Sequence, residues 1–196
     1  MTKSSKEWLR RHVTDPYVKA ARKQGYRSRA AFKLLELDKK ESILKPGQTV
    51  IDLGAAPGGW SQVAAEKVKP GGRVIAIDLL EIAPISGVTT LKGDFRHVSI
   101  DEPAGVVLSD VSPNLSGITN VDQARLLELA LAAADLCRKV LKPDGVFVVK
   151  AFQGEAFEEL RERLKALFKK VKVVKPSASR GESAETYVVA RGLLAE

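Results

Sequence analysis

The chain is poor in cysteine and has no long apolar run. One cysteine among 196 residues excludes an internal disulfide and a cysteine-rich zinc site, so we expect a reducing, cytoplasmic setting and no metal. No apolar stretch approaches the roughly 20 residues that span a bilayer. The N-terminal MTKSSKEWLRR lacks the apolar core of a signal peptide. We therefore expect a soluble, monomeric, single-domain protein that does not bind membranes.

Two phosphate-binding signatures, GxxxxGK[ST] and GxGxxG, are also absent. In their place, DLGAAPGGW occupies residues 52–60 directly after an apolar stretch. Gly54, Gly58 and Gly59 let a ligand approach the backbone, while Pro57 removes an N–H that a phosphate would use. This turn suits a ligand with a ribose, an adenine and a charged amino-acid tail, such as S-adenosylmethionine (SAM). The alternative is an ordinary turn from a strand to a helix.

Short β-branched segments alternate with helical patterns after residue 46. The strand candidates are Thr49–Asp52, Arg73–Asp78, Thr89–Lys92, Val106–Ser109, Val146–Lys150, Lys172–Lys175 and Thr186–Arg191. The helix candidates between them are Gly58–Val68, Asp122–Leu141 and Glu155–Phe168. The segment 93–105 leaves room for a minimal helix at most. This alternation predicts an α/β fold with a doubly wound, mostly parallel sheet that binds ligands at the carboxyl ends of its strands.

The first 45 residues are helical and basic. We predict one helix from Ser4 or Ser5 to His12, a second from Pro16 to Gln24, and a third from a Ser28 cap to about Lys39. Much of the net charge of +8 comes from basic residues in this region. They are Lys3, Lys6, Arg10, Arg11, Lys19, Arg22, Lys23, Arg27, Arg29, Lys33, Lys39 and Lys40.

Aromatic residues are interleaved with these basic residues, at Trp8, Tyr17, Tyr26 and Phe32. Basic side chains bind a phosphate backbone and aromatic faces stack on bases, so the region predicts RNA binding. The alternative is a solvated basic surface, with Trp8 and Phe32 anchoring helices to the core.

Four carboxylates lie at or near the ends of four successive strands, and we expect them to face one crevice. Asp78 is positioned for the two ribose hydroxyls of a nucleoside cofactor, Asp94 for its adenine amino group and Asp110 for its methionine end. Asp52 stands at the mouth of the glycine-rich turn. A single aspartate in such a position is more often a turn or cap residue, but the four together favour the cofactor.

Lys150 ends an apolar run and is predicted to point into the same crevice. Burial and a neighbouring ammonium both lower a lysine pKa, which makes a lysine usable as a general base. Lys33 is a candidate for that second ammonium, with Asp110 orienting the pair and Glu185 completing the cluster. The alternative for Lys150 is a cation at a strand end that reaches solvent.

Six motifs carry a family resemblance from about Trp8 to Gly192. They are RSRAAFKL, DLGAAPGGWSQ, AIDLL, GDFR, SDVSPNLSG and FVVKAFQGE, and together they resemble the FtsJ/RrmJ (RlmE) family of RNA ribose 2′-O-methyltransferases. The resemblance implies a Rossmann-like SAM-dependent methyltransferase fold. Its seven-stranded, mostly parallel sheet has one antiparallel strand, helices on both faces and an N-terminal helical extension. Residues 1–45 would be the RNA-binding extension and 46–196 the SAM-binding catalytic core of a single domain, 1–196.

The resemblance also implies residue roles. The family's catalytic tetrad matches Lys33, Asp110, Lys150 and Glu185. Its cofactor-contacting positions match Gly58, Trp60, Asp78, Asp94 and Asp110. No metal is implied.

The implied substrate is a uridine in the A loop of 23S ribosomal RNA, methylated on the assembled large subunit. Close relatives act on tRNA or mRNA caps, so a tRNA 2′-O-methyltransferase stays an alternative. So does a non-catalytic SAM-binding factor for ribosome assembly, although the complete tetrad argues against it. The chain departs from the family pattern in its short 94–110 segment and in Glu182, where relatives carry a basic residue.

Overall fold

The computed structural model describes residues 14–113, 116, 119–179 and 183–195. Its helices are α1 (Pro16–Gln24), α2 (Ala30–Glu41), α3 (Gly59–Lys67), α4 (Thr119–Val140) and α5 (Glu155–Leu167). Its strands are β1 (Thr49–Leu53), β2 (Arg73–Asp78), β3 (Val88–Lys92), β4 (Ala104–Ser109), β5 (Leu141–Phe152), β6 (Phe168–Val174) and β7 (Glu185–Leu193). The predicted helix that ends at His12, and Glu182, lie outside the described residues.

The seven strands form one sheet in the order β3-β2-β1-β4-β5-β7-β6. Neighbours from β3 to β5 pair in parallel, while β7 pairs antiparallel with both β5 and β6. This confirms the predicted mostly parallel sheet with one antiparallel strand. The order reverses between β1 and β4, and at such a switch point a crevice opens at the carboxyl ends of the strands.

Apolar side chains alternate between the two faces of the sheet because successive residues of a strand point in opposite directions. On one face, Val50 and Val148 pack with Leu34 of α2 and Trp60 of α3. On the other face, Ile51, Phe147 and Val149 pack with residues of α4 and α5, including Cys137. Cys137 is fully buried, as expected of a small apolar residue.

Residues 14–41 form two helices on the α3 side of the sheet. Asp15 caps α1 by accepting a hydrogen bond from the Tyr17 N–H at 2.9 Å, and Gly25 ends the helix with φ 77°. The N-cap residue of α2 is Arg29, and no side chain makes a capping hydrogen bond there. The prediction that Ser28 caps this helix is therefore wrong.

Most boundaries fall within two residues of the predictions, but β5 and β6 both begin earlier. Leu141 already pairs with Ala104, after which the register shifts so that Val146 pairs with Val106. Residues 93–103 form turns and no helix, as their shortness indicates. Across the described ranges, no helix has the length and apolarity needed to cross a bilayer.

Candidate active site

A cavity of about 450 Å³ opens at the carboxyl ends of β1 to β4, and the carboxylates of Asp78, Asp94 and Asp110 line it. Each of these residues ends a strand or follows one closely, so the parallel arrangement brings them to one edge of the sheet. The volume lies in the range of small-molecule sites. Three of the four predicted strand-end carboxylates therefore meet as expected.

Asp78 holds the backbone on both sides of the cavity. Its Oδ2 accepts a hydrogen bond from the Ala56 N–H at 2.9 Å, and its Oδ1 accepts one from the Leu80 N–H at 2.8 Å. Gly54 has φ 70°, and a Cβ there would lie 2.9 Å from Val111 Cα. Glycine is therefore required at position 54, because the backbone has a positive φ there and because Val111, after β4, leaves no room for a side chain.

Gly58 and Trp60 lie beside the cavity rather than among the described residues that line it. Gly58 has φ 111°, and a Cβ there would lie 2.5 Å from Ile85 Cδ1. The Trp60 indole is buried, and its Nε1–H donates to the carbonyl oxygen of Ala30 at 2.7 Å. Cofactor contact by these two residues stays a prediction. Because the Trp60 side chain is buried and hydrogen-bonded to Ala30, only the backbone of Trp60 is available for such a contact.

Asp94 is held by Arg96. The Arg96 Nε donates to both carboxylate oxygens at 3.0 Å, and its Nη2 donates to Oδ2 at 2.6 Å. These hydrogen bonds lower the pKa of Asp94 to about 2. The carboxylate at this wall of the cavity therefore keeps its negative charge at physiological pH.

Asp52 differs from the other three carboxylates because it lies within β1 and not after it. Its side chain points towards α3, is 1 % exposed, and accepts a hydrogen bond from the Ser61 hydroxyl at 2.6 Å. Burial raises its pKa to about 7, and the charges of Asp110 and Asp78 add to the effect. The expectation that Asp52 faces the crevice is wrong. Because Asp52 lies within β1 and not after its last residue, its side chain stays under α3.

The buried Lys150 forms an ion pair with Asp110, which lies at the cavity. Lys150 is 6 % exposed, and its Nζ donates to the carbonyl oxygen of Asp110 at 2.8 Å and lies 3.3 Å from Asp110 Oδ1. Asp110 also lines the cavity. Asp110 therefore belongs both to the cavity and to the group formed by Lys33, Asp110, Lys150 and Glu185 (the lysine cluster).

Lys33 and Glu185 form a second pair. The Nζ of Lys33, a residue of α2 that is 8 % exposed, lies 2.7 Å and 2.9 Å from the two carboxylate oxygens of Glu185. The Ser179 hydroxyl donates to Glu185 Oε1 at 2.8 Å. All four residues predicted to form the catalytic cluster are thus partly or fully buried in two ion pairs.

Tyr187 joins the two pairs, and sequence reasoning missed it. Its hydroxyl donates to Asp110 Oδ1 at 2.7 Å, and Lys33 Nζ lies 5.9 Å from the centre of its ring. Burial, together with the charges of Asp110 and Glu185, raises the Tyr187 pKa well above its ordinary value. The signal was available: Tyr187 lies two residues after Glu185 on β7, hence on the same face, and it pairs directly with Lys150 of β5.

The predicted basic RNA-binding residues divide into exposed and bonded groups. Arg29 pairs with Asp15 at 3.0 Å and donates to the Ala178 carbonyl at 2.7 Å, and the Arg27 guanidinium donates to three backbone carbonyls. Arg27 and Arg29 therefore bond to other parts of the protein. The buried Lys33 belongs to the lysine cluster. The exposed ones are Lys19, Arg22, Lys23, Lys39 and Lys40. Lys3, Lys6, Arg10, Arg11 and Trp8 lie outside the described residues.

The other predicted RNA-binding aromatics pack on one another. The Phe32 ring lies 5.6 Å from that of Tyr17 and 5.8 Å from that of Tyr26. This agrees with the alternative that Phe32 anchors its helix.

Comparison with protein families identifies the family of this chain. The family model of FtsJ-like methyltransferases matches residues 26–193, a range that includes all four residues of the lysine cluster. The chain belongs to this family. FtsJ-like methyltransferases transfer a methyl group from a donor molecule, and the resemblance noted from the sequence is confirmed.

Curated relatives of this FtsJ-like methyltransferase match over almost their whole length. The ribosomal RNA large subunit methyltransferase E of Nitrosospira multiformis is 50 % identical over 200 residues, covering 97 % of this chain and 97 % of that protein. Its counterpart in Dechloromonas aromatica is 49 % identical over 201 residues, covering 98 % of each chain.

Solved structures share the fold. A candidate ribosomal RNA methyltransferase from Plasmodium falciparum superposes with a TM-score of 0.79 at 29 % identity, covering 87 % of this chain and 100 % of that one. A candidate rRNA-methylase from Clostridium thermocellum has a TM-score of 0.62 at 20 % identity and covers 82 % of this chain and 97 % of its own. At that identity, the second likeness bears on the fold alone.

Proposed function

We propose that this FtsJ-like methyltransferase uses SAM to methylate a ribose 2′-hydroxyl of large-subunit ribosomal RNA, at a uridine in the A loop of 23S rRNA. The single observation that carries the proposal is the position of Asp110, which lines the cavity and also contacts Lys150. A donor bound in the cavity and a proton acceptor beside it are the two requirements for O-methylation.

The donor cavity fits SAM in size and in charge. SAM supplies a methyl group on a positively charged sulfur, and the cavity is lined by the carboxylates of Asp78, Asp94 and Asp110. Asp78 is suited to accept hydrogen bonds from ribose hydroxyls, because its oxygens keep further lone pairs beside those used by the Ala56 and Leu80 N–H groups. Asp94 is proposed to accept one from the adenine amino group in exchange for one of its hydrogen bonds from Arg96.

Lys150 is the proposed general base. In the transfer, the ribose oxygen forms a bond to the methyl carbon as the carbon–sulfur bond breaks and its electron pair stays on sulfur. The unprotonated amine of Lys150 takes up the hydroxyl proton, and Asp110 fixes the position of that amine through its carbonyl and carboxylate oxygens. General-base catalysis of this kind typically contributes about 10² to 10⁴ in rate.

Lys33 and Glu185 are proposed to position the acceptor ribose and Lys150. Tyr187 connects them to Asp110 through its hydroxyl and its ring, so the two ion pairs act as one rigid cluster. Alignment of nucleophile and methyl group is expected to supply much of the remaining acceleration.

RNA is the proposed acceptor because the exposed cations of α1 and α2 lie on the element that carries Lys33 or directly before it. The names of the curated relatives specify large-subunit ribosomal RNA for those proteins, and near-complete coverage supports the same substrate here.

Incubation with methyl-labelled SAM tests the proposal. Large ribosomal subunits and total tRNA are offered separately, and the labelled nucleotide is located by digestion and mass spectrometry. We expect one labelled 2′-O-methyluridine in the A loop of 23S rRNA. Label in tRNA would show that tRNA, and not ribosomal RNA, is the substrate. Label on a base would refute ribose methylation. SAM binding without transfer to either RNA would support a non-catalytic assembly factor.

A further inference from the structure

The guanidinium group of Arg27 joins two segments that are far apart in sequence. Its Nη1 donates to the carbonyl oxygens of Pro57 at 3.1 Å and Ala83 at 2.6 Å. Its Nη2 donates to the carbonyl oxygen of Pro84 at 2.7 Å. Pro57 belongs to the glycine-rich turn after β1 (residues 54–58, the donor turn). Ala83 and Pro84 belong to the segment after β2 (residues 79–85, the donor segment).

Both of these segments contribute walls to the donor cavity. Gly54 and Ala56 of the donor turn line it, and so do Leu79 and Leu80 of the donor segment. Asp78 links the same two segments from the cavity side, through the Ala56 and Leu80 N–H groups. Arg27 links them from the outer side, so the separation of the two walls is fixed at both places.

Arg27 is itself held in place. Its backbone N–H donates to Gln62 Oε1 at 2.8 Å, and Gln62 Nε2 donates to the carbonyl oxygen of Gly25 at 3.0 Å. A Cβ on Gly58 would lie only 3.3 Å from Arg27 Nη1, so the side chain passes directly over the donor turn. The planar guanidinium fork can donate to several carbonyl oxygens at once, whereas a lysine ammonium is a single point of charge.

We propose that Arg27 is a positioning residue of the methyl-donor site and does not contact the acceptor RNA. It sets the distance between the donor turn and the donor segment, and hence the place of Asp78 relative to both. This inference rests on the proposed function, because the donor is taken to be SAM. It reassigns a residue that its basic sequence context predicted to bind RNA.

Two matched substitutions separate donor positioning from RNA contact. Arg27→Met removes the donating groups at similar length, and Lys23→Met removes an exposed cation from the neighbouring α1. Binding of S-adenosylhomocysteine is measured by calorimetry and binding of large ribosomal subunits by sedimentation. For Arg27→Met we expect about tenfold weaker S-adenosylhomocysteine binding and ribosomal-subunit affinity within about twofold of wild type. For Lys23→Met we expect S-adenosylhomocysteine binding within about twofold of wild type and about tenfold weaker binding to ribosomal subunits.

Steady-state kinetics distinguish positioning from general damage to the fold. Arg27→Met should raise the KM for SAM while kcat at saturating SAM stays within about threefold. Arg27→Lys, which keeps the charge but loses the fork, should weaken S-adenosylhomocysteine binding about threefold. Circular dichroism establishes whether Arg27→Met is folded, and if it is not, Arg27→Lys decides the question.

Unchanged S-adenosylhomocysteine affinity in Arg27→Met, or in Arg27→Lys where that variant decides, would overturn the inference. Weakened subunit binding in Arg27→Met with intact donor binding would also overturn it. In either case the wild-type protein still binds and uses SAM, so the proposed function stands. A wild-type protein that binds no SAM would instead refute the proposed function together with this inference.

Discussion

Lys33 and Lys150 are buried lysines, 8 % and 6 % exposed, and the amine of each is in contact with a carboxylate. Removing one member of a buried ion pair leaves the other charge uncompensated, at a cost of about 3–5 kcal/mol. A substitution at either position therefore needs a measurement of folding stability beside the measurement of activity, so that catalytic and structural effects are separated.

Substitution of Lys150 tests the general base. Lys150→Met removes the amine at similar length, and we expect the rate of methyl transfer to fall by about 10² to 10⁴ with donor affinity within about twofold. Single-turnover transfer of labelled methyl groups and calorimetry measure the two quantities. Lys142→Met, at an exposed position of the same strand, is the control. Equal loss of transfer and of donor affinity would make Lys150 a structural residue.

Asp52 predicts a pH dependence of stability. Its pKa rises from 3.8 to about 7 on folding, so between those pH values the unfolded state releases a proton that the folded state retains. Folding therefore loses stability as pH rises through this window, by about 4 kcal/mol at 1.36 kcal/mol per pKa unit. The contribution is constant below pH 3.8 and again above pH 7.

Asp52→Asn should remove this loss. We expect the free energy of unfolding of the variant, relative to that of wild type, to increase as pH rises from 4 to 7. Urea denaturation at each pH measures both free energies. Asp144→Asn, at an exposed carboxylate, should run parallel to wild type. An Asp52→Asn curve that also ran parallel would show that Asp52 is ionised in the folded protein.

At the scale of the elements, helix α1 presents a cationic face. Lys19, Arg22 and Lys23 are exposed, and their spacing of three and four residues puts them on one side of the helix. Val18 and Ala21 are buried and attach the helix to the rest of the protein. The exposed side of α1 is therefore the surface that we propose contacts the phosphates of an acceptor RNA.

Reversal of this charge should weaken RNA binding. For the combined Lys19→Glu, Arg22→Glu and Lys23→Glu variant, we expect the slope of log affinity for large ribosomal subunits against log salt to decrease in magnitude by about 2. Donor affinity should not change. The control is the same charge change at Arg161, Arg163 and Lys165 of α5, which packs on the opposite face of the sheet. Equal losses in the two variants would show that total charge, and not α1, determines binding.

The sequence allowed most of the elements to be predicted, and it also brought together Lys33, Asp110, Lys150 and Glu185, which the structure places in two ion pairs. Apolar runs that end in Asp110 and Lys150 mark the carboxyl ends of parallel strands, and such ends meet at one edge of a sheet. Tyr187 was missed because a tyrosine within an apolar strand is typical of a core residue. The direction of the Asp52 side chain depends on the helix that covers it, and that of Arg27 depends on the carbonyl oxygens of two distant segments. Both are tertiary properties.

Two of the wrong local predictions, the Ser28 cap and the start of β5, have a similar origin. Serine is a preferred helix cap, yet Ser28 lies against Gly59, where a Cβ would come within 2.4 Å of its hydroxyl oxygen. The approach of α3 therefore takes precedence over local capping. The early start of β5 at Leu141 depends on its pairing with Ala104, which local residue preferences do not encode.

Considered as a whole molecule, the chain has a cavity that we propose binds the donor and a basic surface on α1 and α2 that we propose binds RNA, and Asp110 links the cavity to the lysine cluster. Ligand binding to the folded state alone stabilises it by about 2.7 kcal/mol at a concentration of 100 Kd. For a chain of this size, that corresponds to a rise of about 5–10 °C in the melting temperature. We expect S-adenosylhomocysteine to produce this shift in a thermal melt, and GTP to produce none. Equal shifts with the two ligands would show that the cavity does not recognise the donor.

The exposed edge of the sheet at β6 has a consequence for the behaviour of the protein in concentrated solution. Lys169 and Lys170 are exposed along this strand, and Lys172 is exposed and paired with Glu41. Within the described residues, β7 is the one strand that pairs with β6. An open edge presents unpaired backbone groups to which a strand from another molecule can add. A second copy approaching edge to edge would bring like charges together, so the lysines of β6 oppose aggregation through the sheet.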